Sequence, residues 1–432
     1  MFVASAYLCG MKRITLFILA LLLSSPAWAQ VDTVQHVEPG RRNSPEQMQK
    51  PYVIMISADG YRYDYTDKFN ATYLKELREQ GVQAESLVPS FPSKTFPNHY
   101  TLVTGMYPAT HGLINNYFYD PQRQEHYSMR DRKQVEDASW YGGVPLWVLA
   151  EQNQMLSASY YWVGSEAPVQ NTRPTYWFKY HEGIPFEERV KTVVKWLSLP
   201  EEQRPHLITF YLPEVDHAGH RYGPDAPETA QAVKELDERL RQLTEAVAAT
   251  GLPVNYLFVS DHGMIQIDQE NTLPLPAAVD TAKFLVSGGG MVVELHAKDK
   301  KAIKPTYKKL KKEANGAYQV YTKGNLPKHL HYGKKADKYK RVGDILLLTD
   351  APKVFHFSSR KPSPGTHGYD PQAVKEMHTV FYAWGPDIKQ GVKTGPFSNV
   401  QVYDVVAKLL GLKYTHKIDG DDTISKQVLK QK

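Results

Sequence analysis

The chain has 432 residues, of which 42% are hydrophobic, and its formal net charge is +6. This hydrophobic content is enough for a large buried core and argues against a disordered protein. The small positive excess forms no arginine-rich stripe, so it does not indicate a nucleic-acid-binding surface. We therefore expect a globular protein without a stable nucleic-acid partner.

The N-terminus has the order of features found in secretory signal peptides. A basic pair at 12–13 precedes an apolar run over 14–23, and small residues typical of a cleavage site follow at 27–29. The apolar run is too short to span a bilayer as a helix. The sequence therefore predicts a signal peptide over 1–29, with Met11 as an alternative start, and a periplasmic or secreted protein. A retained N-terminal helix or membrane anchor is the alternative.

Cysteine use agrees with a protein stabilised by its core and by bound metal. Cys9 is the only cysteine in the sequence, and it precedes the predicted cleavage site. A mature exported chain would then have no disulfide. Any zinc site in it would have to use histidines and carboxylates, because no thiolate would remain.

After a polar linker over 30–50, short apolar runs alternate with helical patterns through one predicted domain over 51–432. Short continuous apolar runs are typical of strands buried on both faces. The predicted strands are 52–57, 207–212, 256–260, 291–295, 345–348 and 379–384. The clearest helical patterns are 66–80, 145–152, 186–197, 227–250 and 400–410. This alternation predicts an α/β protein with a mostly parallel sheet flanked by helices.

Two segments do not follow this alternation. The tyrosine-rich stretch over 117–180 shows no clear helical or strand period and predicts a loop-rich cap over one end of the sheet. The stretch over roughly 265–360 carries lysine-rich segments and predicts an inserted lobe with a solvated basic face.

Acidic residues and histidines lie beside several of the predicted strands. In open α/β sheets, ligands bind beyond the carboxyl ends of the strands, so these side chains can converge in space. Aspartate and neutral histidine are zinc ligands, although manganese or iron could use the same set. One such residue alone is more often a turn or structural residue, so the prediction rests on their occurrence together. They are Asp59, Asp216, His220, Asp261, His262 and His367.

A hydroxyl-bearing segment precedes a predicted helix that has Pro97 in its first turn. Thr95 lies at the start of this helix, where backbone N–H groups point toward anions. Metal coordination would activate its hydroxyl as a nucleophile. Thr95 could instead be an ordinary N-cap, and Ser93 is a second candidate hydroxyl on the same loop.

With these residues placed, the chain resembles the nucleotide pyrophosphatase/phosphodiesterase family, a branch of the alkaline-phosphatase superfamily. The resemblance covers about 52–411. The segment 95–100 (TFPNHY) is similar to the family's nucleophile motif, and 216–224, 261–264 and 365–369 are similar to its metal motifs. Because several motifs occur in the family's order, the resemblance implies an alkaline-phosphatase-like fold.

The resemblance implies two zinc ions per chain and a phosphodiesterase or nucleotide pyrophosphatase that works through a phosphothreonine intermediate. The implied ligands of one zinc are Asp216, His220 and His367. The implied ligands of the other zinc are Asp59, Asp261, His262 and Thr95, which becomes the nucleophile. Two in-line displacements of this kind predict net retention of configuration at phosphorus.

The resemblance also implies residues that contact a small-molecule phosphodiester or nucleotide. Asn116 matches an asparagine that contacts a phosphate oxygen, with Asn115 beside it as an alternative. The N–H of Phe96 is expected to stabilise the same charge. Phe96, Tyr180 and Tyr211 resemble the aromatic positions that stack on a nucleobase, and packing in the core or cap is their alternative role.

Three other functions compete with a nucleotide phosphodiesterase. A phosphomonoesterase would need an extra cation near the phosphate, for which Lys94 is the candidate. A phosphodiesterase acting on choline-type lipid headgroups could use the same aromatic residues, since they also attract quaternary ammonium groups. A binding protein without activity would have several damaged metal positions, and none of the seven is damaged. The sequence leaves the oligomeric state open.

Overall fold

A computed structural model describes residues 32–431 of the chain, and residues 35–431 belong to one structural unit. The predicted signal peptide over 1–29, with Met11 and Cys9, lies outside the described residues. Within the described part of the chain, we find no helix whose length and apolar content would allow it to cross a bilayer.

Nineteen strands and twelve α-helices can be followed through residues 32–431. The strands, in chain order, are β1 His36–Val37, β2 Tyr52–Ala58, β3 Val82–Ala84, β4 Leu87–Val88, β5 Tyr117–Asp120, β6 Glu125–Ser128, β7 Ser157–Tyr160, β8 Tyr176–Trp177, β9 Leu207–Leu212, β10 Val254–Val259, β11 Ile265–Gln266, β12 Phe284–Gly289, β13 Val292–Ala297, β14 Gln319–Thr322, β15 Ile345–Leu348, β16 Gly365–Thr366, β17 Phe381–Trp384, β18 Val392–Thr394 and β19 Phe397–Ser398. The α-helices are α1 Tyr65–Lys68, α2 Thr72–Gln80, α3 Thr95–Thr104, α4 Pro108–His111, α5 Arg132–Val135, α6 Leu146–Gln152, α7 Phe186–Leu197, α8 Glu214–Tyr222, α9 Pro227–Ala248, α10 Ile303–Ala314, α11 Val402–Leu409 and α12 Thr423–Val428.

The largest sheet has nine strands in the order β1-β8-β7-β9-β2-β10-β17-β3-β18. Its central strands β8, β7, β9, β2 and β10 are parallel. The strand β17 runs antiparallel to β10, and β1 runs antiparallel to β8. The predicted α/β protein with a mostly parallel sheet flanked by helices is therefore confirmed.

The central strand β2 shows why the sheet is buried on both faces. Val53 and Met55 belong to a hydrophobic core that also contains residues of α3, α6 and α11. Ile54 and Ile56 belong to the core on the opposite face, with residues of α2, α7 and α9. Because successive side chains of a strand point to opposite faces, a strand covered on both sides needs a continuous apolar run. The double burial holds the end of β2, and hence Asp59, in a defined position.

Part of the stretch predicted as a loop-rich cap is regular structure. The segment 117–180 contains the hairpin β5–β6 and helix α6, and it supplies β7 and β8 to the main sheet. The prediction was wrong for these strands. They have four and two residues, too short to show a period of their own, and their pairing with neighbouring strands places them in the sheet.

A second sheet lies within the segment predicted as an inserted lobe over 265–360. It has four antiparallel strands in the order β12-β13-β15-β14. Its core includes Val293, Leu347 and, from α10, Leu310. The apolar runs at 291–295 and 345–348 belong to this sheet and not to the main one.

Glu294 of β13 is a buried acid in this smaller sheet. Its carboxylate accepts hydrogen bonds from Tyr332 Oη at 2.8 Å and from Gly343 N at 3.0 Å. Burial nevertheless raises the pKa of Glu294 to about 7. The folded protein therefore keeps a proton on this side chain at pH values where the unfolded chain has released it.

We expect the Glu294→Gln variant to lose part of the pH dependence of stability. In the wild type, this group should lower the free energy of unfolding by about 3 kcal/mol in total as pH rises from about 4.5 through the folded pKa, because the unfolded chain ionises first. Urea denaturation between pH 5 and pH 8.5 measures the effect. Glu245→Gln, at an exposed position of α9, is the matched control and should keep the wild-type slope. An unchanged slope in Glu294→Gln would contradict the assignment.

Candidate active site and metal centre

The predicted metal ligands meet at one end of the main sheet. The strands β9, β2 and β10 are neighbours and parallel, so their carboxyl ends lie side by side. His367 follows the short strand β16, and His220 lies one helical turn beyond the first ligand of α8. The residues at or just after the three strand ends are Asp59, Asp216, Asp261 and His262.

Asp59, Asp261 and His262 form one buried group. His262 Nε2 lies 3.3 Å from Asp59 Oδ1 and 2.9 Å from Asp261 Oδ2. Thr95 Oγ1 lies 3.2 Å from the same nitrogen. Thr95 is the first residue of α3 and Lys94 occupies the cap position, so the N-cap role for Thr95 is wrong. The threonine hydroxyl thus faces a cluster of potential metal ligands.

Asp216, His220 and His367 form a second group beside the first. Asp216 Oδ1 lies 3.4 Å from His220 Nε2 and 3.9 Å from His367 Nε2. The two histidine Nε2 atoms are 3.2 Å apart. The rings of His262 and His367 stack with their centroids 3.4 Å apart, which joins the two groups. Ligand atoms of Asp216, His262 and His367 also lie within 4.8 Å of one another. All six aspartate and histidine side chains predicted as ligands are therefore in one cluster.

Backbone carbonyls orient the three histidines. His262, His367 and His220 each place Nδ1 within hydrogen-bond distance of a carbonyl oxygen. A carbonyl can only accept, so each Nδ1 carries a proton and each Nε2 faces the cluster. The accepting oxygens belong to Gly263 at 2.9 Å, Ser93 at 2.9 Å and Gly365 at 2.8 Å.

Three buried carboxylate oxygens of the cluster lack a hydrogen-bond partner. They are Asp59 Oδ1, Asp216 Oδ1 and Asp261 Oδ2. Buried acceptors without donors are costly, and buried carboxylates without counter-charge are costlier still. The oxygen and nitrogen donors of aspartate and histidine suit zinc, manganese or iron. The side chains present therefore fit divalent metal ions.

The pKa shifts in the cluster result from burial and from the charges of neighbouring side chains. Burial, together with the charges of Asp261 and Asp216, raises the pKa of Asp59 well above its usual value. Burial opposes protonation of His262, but Asp261 outweighs it and raises the pKa of this histidine. Both shifts show that the cluster favours added positive charge. Burial, with the neighbouring His262, holds the pKa of His367 well below its usual value, which keeps this ring in the neutral form that binds metals.

The second candidate hydroxyl, that of Ser93, has a different partner. Its Oγ donates to the carbonyl of Tyr369 at 2.8 Å, and its own carbonyl accepts from His367 Nδ1. Ser93 is buried and supports the loop before α3. Of the two candidate nucleophiles, Thr95 is therefore the one that faces the cluster.

The amide side chain of Asn116 lies against the start of α3. The N–H of Phe96 donates to Asn116 Oδ1 at 2.9 Å. This N–H is therefore engaged, which contradicts its expected role as a free donor to phosphate. The side-chain NH₂ of Asn116 has no acceptor among residues 32–431 and remains available to donate. Asn115 Oδ1 accepts from the backbone N–H of Asn116 at 2.8 Å, so Asn115 shapes the turn.

Two of the three predicted substrate-contacting aromatic residues lie together. The ring centroids of Tyr180 and Tyr211 are 5.9 Å apart. Tyr211 Oη donates to Asp59 Oδ2 at 2.6 Å, which ties this ring to the metal cluster. Phe96 instead has its closest aromatic contact with Tyr127, at 6.3 Å between centroids, and no ring contact joins it to the two tyrosines within residues 32–431.

Sequence reasoning missed His99. Its Nδ1 lies 3.3 Å from Asp261 Oδ2 and 3.0 Å from the carbonyl of Thr95, and its Nε2 lies 2.9 Å from Ser57 Oγ. His99 follows Thr95 by one turn of α3, so both face the same side, and this spacing was the available signal. His99 thus holds the start of α3 through the Thr95 carbonyl, and its ring lies beside Asp261.

The family model described as type I phosphodiesterase / nucleotide pyrophosphatase matches residues 53–370. The chain belongs to this family. The match confirms the resemblance seen in the sequence. It covers Asp59 and Thr95 at one end and His367 at the other, and therefore the whole cluster.

Curated members of the type I phosphodiesterase family show similar sequences. Ectonucleotide pyrophosphatase/phosphodiesterase family member 1 of Mus musculus is 31% identical over 385 residues, which cover 85% of this chain and 42% of that protein. The venom phosphodiesterase of Naja atra is 32% identical over 385 residues, which cover 85% of this chain and 45% of that protein. The chain therefore spans less than half the length of these relatives.

Solved structures of the family share the fold. Human ectonucleotide pyrophosphatase/phosphodiesterase 5 superposes with a TM-score of 0.81 at 26% identity, covering 88% of this chain and all of that chain. The murine protein has the same TM-score and coverage, in a structure of an inactive threonine-to-alanine variant in complex with AMP.

We expect Asp59→Asn to change the thermal stability of this family member in opposite directions with and without metal. In chelator-treated protein it should raise the Tm by about 2 °C or more, because it removes one of three crowded carboxylates. In zinc-loaded protein it should lower the Tm, because it weakens metal binding. Differential scanning calorimetry with metal analysis makes the comparison.

The matched control for this experiment is Asp350→Asn, at an exposed position outside the cluster. Its effect on the Tm should be the same with and without metal. A shift of Asp59→Asn in one direction under both conditions would show that the carboxylate does not serve a metal.

Proposed function

We propose that this chain is a metal-dependent phosphodiesterase/nucleotide pyrophosphatase that hydrolyses phosphodiester or pyrophosphate bonds of small-molecule nucleotides. The observation that carries the proposal is the position of Thr95 Oγ1, 3.2 Å from His262 Nε2 in a cluster of buried carboxylates and histidines. Family membership supports the reaction class. The AMP complex of the murine relative supports a nucleotide as ligand.

We propose zinc as the metal, with two ions per chain. Asp216, His220 and His367 would hold one ion, and Asp59, Asp261, His262 and the Thr95 hydroxyl would hold the other. Bound there, the ions would supply positive charge to the phosphate and favour the ionised form of a coordinated hydroxyl. The orphaned carboxylate oxygens support this assignment, since each needs a cation.

The residues of the chain would act in two displacements. Thr95 Oγ1 releases its proton to solvent, attacks phosphorus and forms a new P–O bond, while the bond to the leaving group breaks and that group departs with the electron pair, taking a proton from solvent where it needs one. Water then attacks the phosphothreonine, which frees Thr95 and releases a phosphate monoester. The side-chain NH₂ of Asn116 would donate to a non-bridging oxygen that gains charge in both steps. The inactive threonine variant of the murine relative supports an essential threonine in that protein.

Tyr180, Tyr211 and Phe96 are the proposed contacts of the nucleoside. The two tyrosines are half-buried beside the cluster, where their rings could meet a base. Since Tyr211 also donates to Asp59, a ligand that moves its ring would disturb the position of a metal ligand. The hydrogen bond from Tyr211 to Asp59 would therefore couple the choice of nucleoside to the position of a proposed metal ligand.

We expect the substrate classes to be ranked by charge and by the presence of a base. At pH 9, rates on bis-p-nitrophenyl phosphate should exceed those on p-nitrophenyl phosphate by at least about tenfold, since burial lowers the pKa of Lys94 to about 8 and the neutral amine cannot offset the second charge of a monoester. Nucleotide sugars and dinucleotides should be cleaved with higher kcat/KM than glycerophosphocholine. A preference for the monoester or for glycerophosphocholine would favour the corresponding alternative enzyme.

We expect Thr95→Ala to retain its metal ions and to lose at least about 10³-fold in kcat on bis-p-nitrophenyl phosphate, because the nucleophile is removed. Ser93→Ala is the matched control, since its hydroxyl donates to a backbone carbonyl, and should stay within about tenfold of the wild type. Elemental analysis by mass spectrometry checks the metal content. Comparable losses in both variants would remove Thr95 from its proposed role.

We also propose that the protein is exported and that residues 51–432 act as one catalytic domain, with the lobe over 265–360 inserted in it. The basic, apolar and small-residue order of the N-terminus supports export. The venom phosphodiesterase and the ectonucleotide pyrophosphatases among the relatives are consistent with this location. N-terminal sequencing of the mature protein tests cleavage after Ala29.

A further inference from the structure

A cavity of about 750 Å³ opens between the hairpin β5–β6 and the four-stranded sheet. None of its lining residues belongs to the metal cluster. Its size lies within the range of about 300–1,000 Å³ typical of small-molecule sites. The hairpin contributes Tyr119 and Gln122, and the sheet and its loops contribute Leu285 and Val342.

Positive charge dominates the cavity wall. Two of its lysines form ion pairs, Lys323 with Asp337 and Lys300 with Asp344. The wall contains five lysines and two aspartates, so three lysine charges are not balanced by an acid and the wall has net positive charge. The lysines of the wall are Lys298, Lys300, Lys323, Lys334 and Lys340.

Two of these lysines have uncommitted ammonium groups. Lys334 and Lys340 are exposed to solvent at the cavity, and their Nζ atoms have no hydrogen-bond or ion-pair partner within residues 32–431. By contrast, Lys298 Nζ donates to the carbonyl of Thr281 at 2.9 Å. Each free ammonium can donate up to three hydrogen bonds to an anion.

His296 gives a second, independent sign of a ligand. Its side chain lines the cavity but is only 5% exposed, and its Nε2 has no hydrogen-bond partner. The nearest carboxylate oxygen, Glu294 Oε2, is 3.7 Å away and beyond hydrogen-bond distance. Burial lowers the pKa of His296 to about 4, so the ring is neutral at pH 7. His296 thus lines the cavity with a ring that has a nitrogen left unsatisfied by protein groups, which is consistent with a ligand at this wall.

The loop that carries the two free lysines is held in a fixed conformation. Arg341, buried, donates to Asp120 Oδ2 at 2.8 Å in the hairpin, and its backbone N–H donates to Asp337 Oδ1 at 2.9 Å. Lys340 has a φ of 58°, a left-handed conformation that side-chain-bearing residues adopt at a cost. The backbone at Lys340 is therefore already ordered, which lowers the entropic cost of binding at that position.

We propose that this cavity binds a small oligophosphate anion, with Lys334 and Lys340 contacting phosphate oxygens and the imidazole of His296 hydrogen-bonding to one of them. Several lysines around a space of this size suit a ligand with many anionic oxygens better than one carboxylate. The Tyr119 ring, edge-to-face with His296 at 5.3 Å, offers an apolar surface to the rest of a nucleotide. This site does not depend on the proposed catalytic function.

The test is a calorimetric titration of the metal-loaded protein with methylenediphosphonate, a pyrophosphate analogue that cannot be hydrolysed. We expect the wild type to bind at two sites, the metal cluster and the cavity. Inhibition of bis-p-nitrophenyl phosphate hydrolysis reports the first site separately. The double variant Lys334→Glu/Lys340→Glu should lose at least about tenfold in affinity at the second site alone.

The matched control is Lys309→Glu/Lys312→Glu, which reverses two exposed charges on α10 outside the cavity. It should bind as the wild type does. His296→Gln keeps the net charge at pH 7 and should also weaken the second site, which general attraction by lysines would not predict. Binding at the metal cluster alone, equal weakening in both double variants, or unchanged binding in His296→Gln would each overturn the proposal. Circular dichroism of every variant verifies folding.

Discussion

Three carboxylates buried in one place impose the main constraint on this structure. Asp59, Asp216 and Asp261 each keep an oxygen that no protein donor satisfies. Such a cluster is unfavourable unless a cation is bound, because burial removes the water that would screen the charges. The hydrophobic cores on both faces of the main sheet hold the strand ends that carry this charge. The free energy gained by packing these cores therefore offsets the cost of burying the three carboxylates together.

The geometry around this cluster depends on close backbone approach. Gly60 has a φ of 68°, and a Cβ there would lie 2.9 Å from the Cα of Asp216. A side chain at this position would push apart the ends of β2 and the start of α8, and with them two ligands of different groups. The N–H of Gly60 also donates to Asp261 Oδ1 at 3.2 Å. Gly60 therefore follows Asp59 in the chain, packs against Asp216 and donates to Asp261, so its backbone adjoins all three carboxylates.

The candidate ligands could be found from the sequence because several aspartates and histidines beside buried strands are seldom explained by structural roles alone. Each lies at a strand end or in a short motif, so a local pattern was enough to find it. Other features had no local pattern. The strands β7 and β8 are too short to show a period. The runs at 291–295 and 345–348 gave no sign that they pair with each other in a separate sheet. The engagement of the Phe96 N–H by Asn116, twenty residues away, depends on the turn between them.

The amino-acid sequence alone was sufficient for the fold class, the family and the order of the candidate metal-binding side chains, since these follow from short-range periodicity and from motifs. The tertiary structure decided which atoms meet. In the folded chain, Thr95 faces His262, Ser93 bonds away from the cluster and His99 lies beside Asp261. Lys334 and Lys340 lie at the wall of a cavity. These contacts depend on packing between segments far apart in the chain. A shift of one residue in the register of a strand would turn a different side chain toward the site.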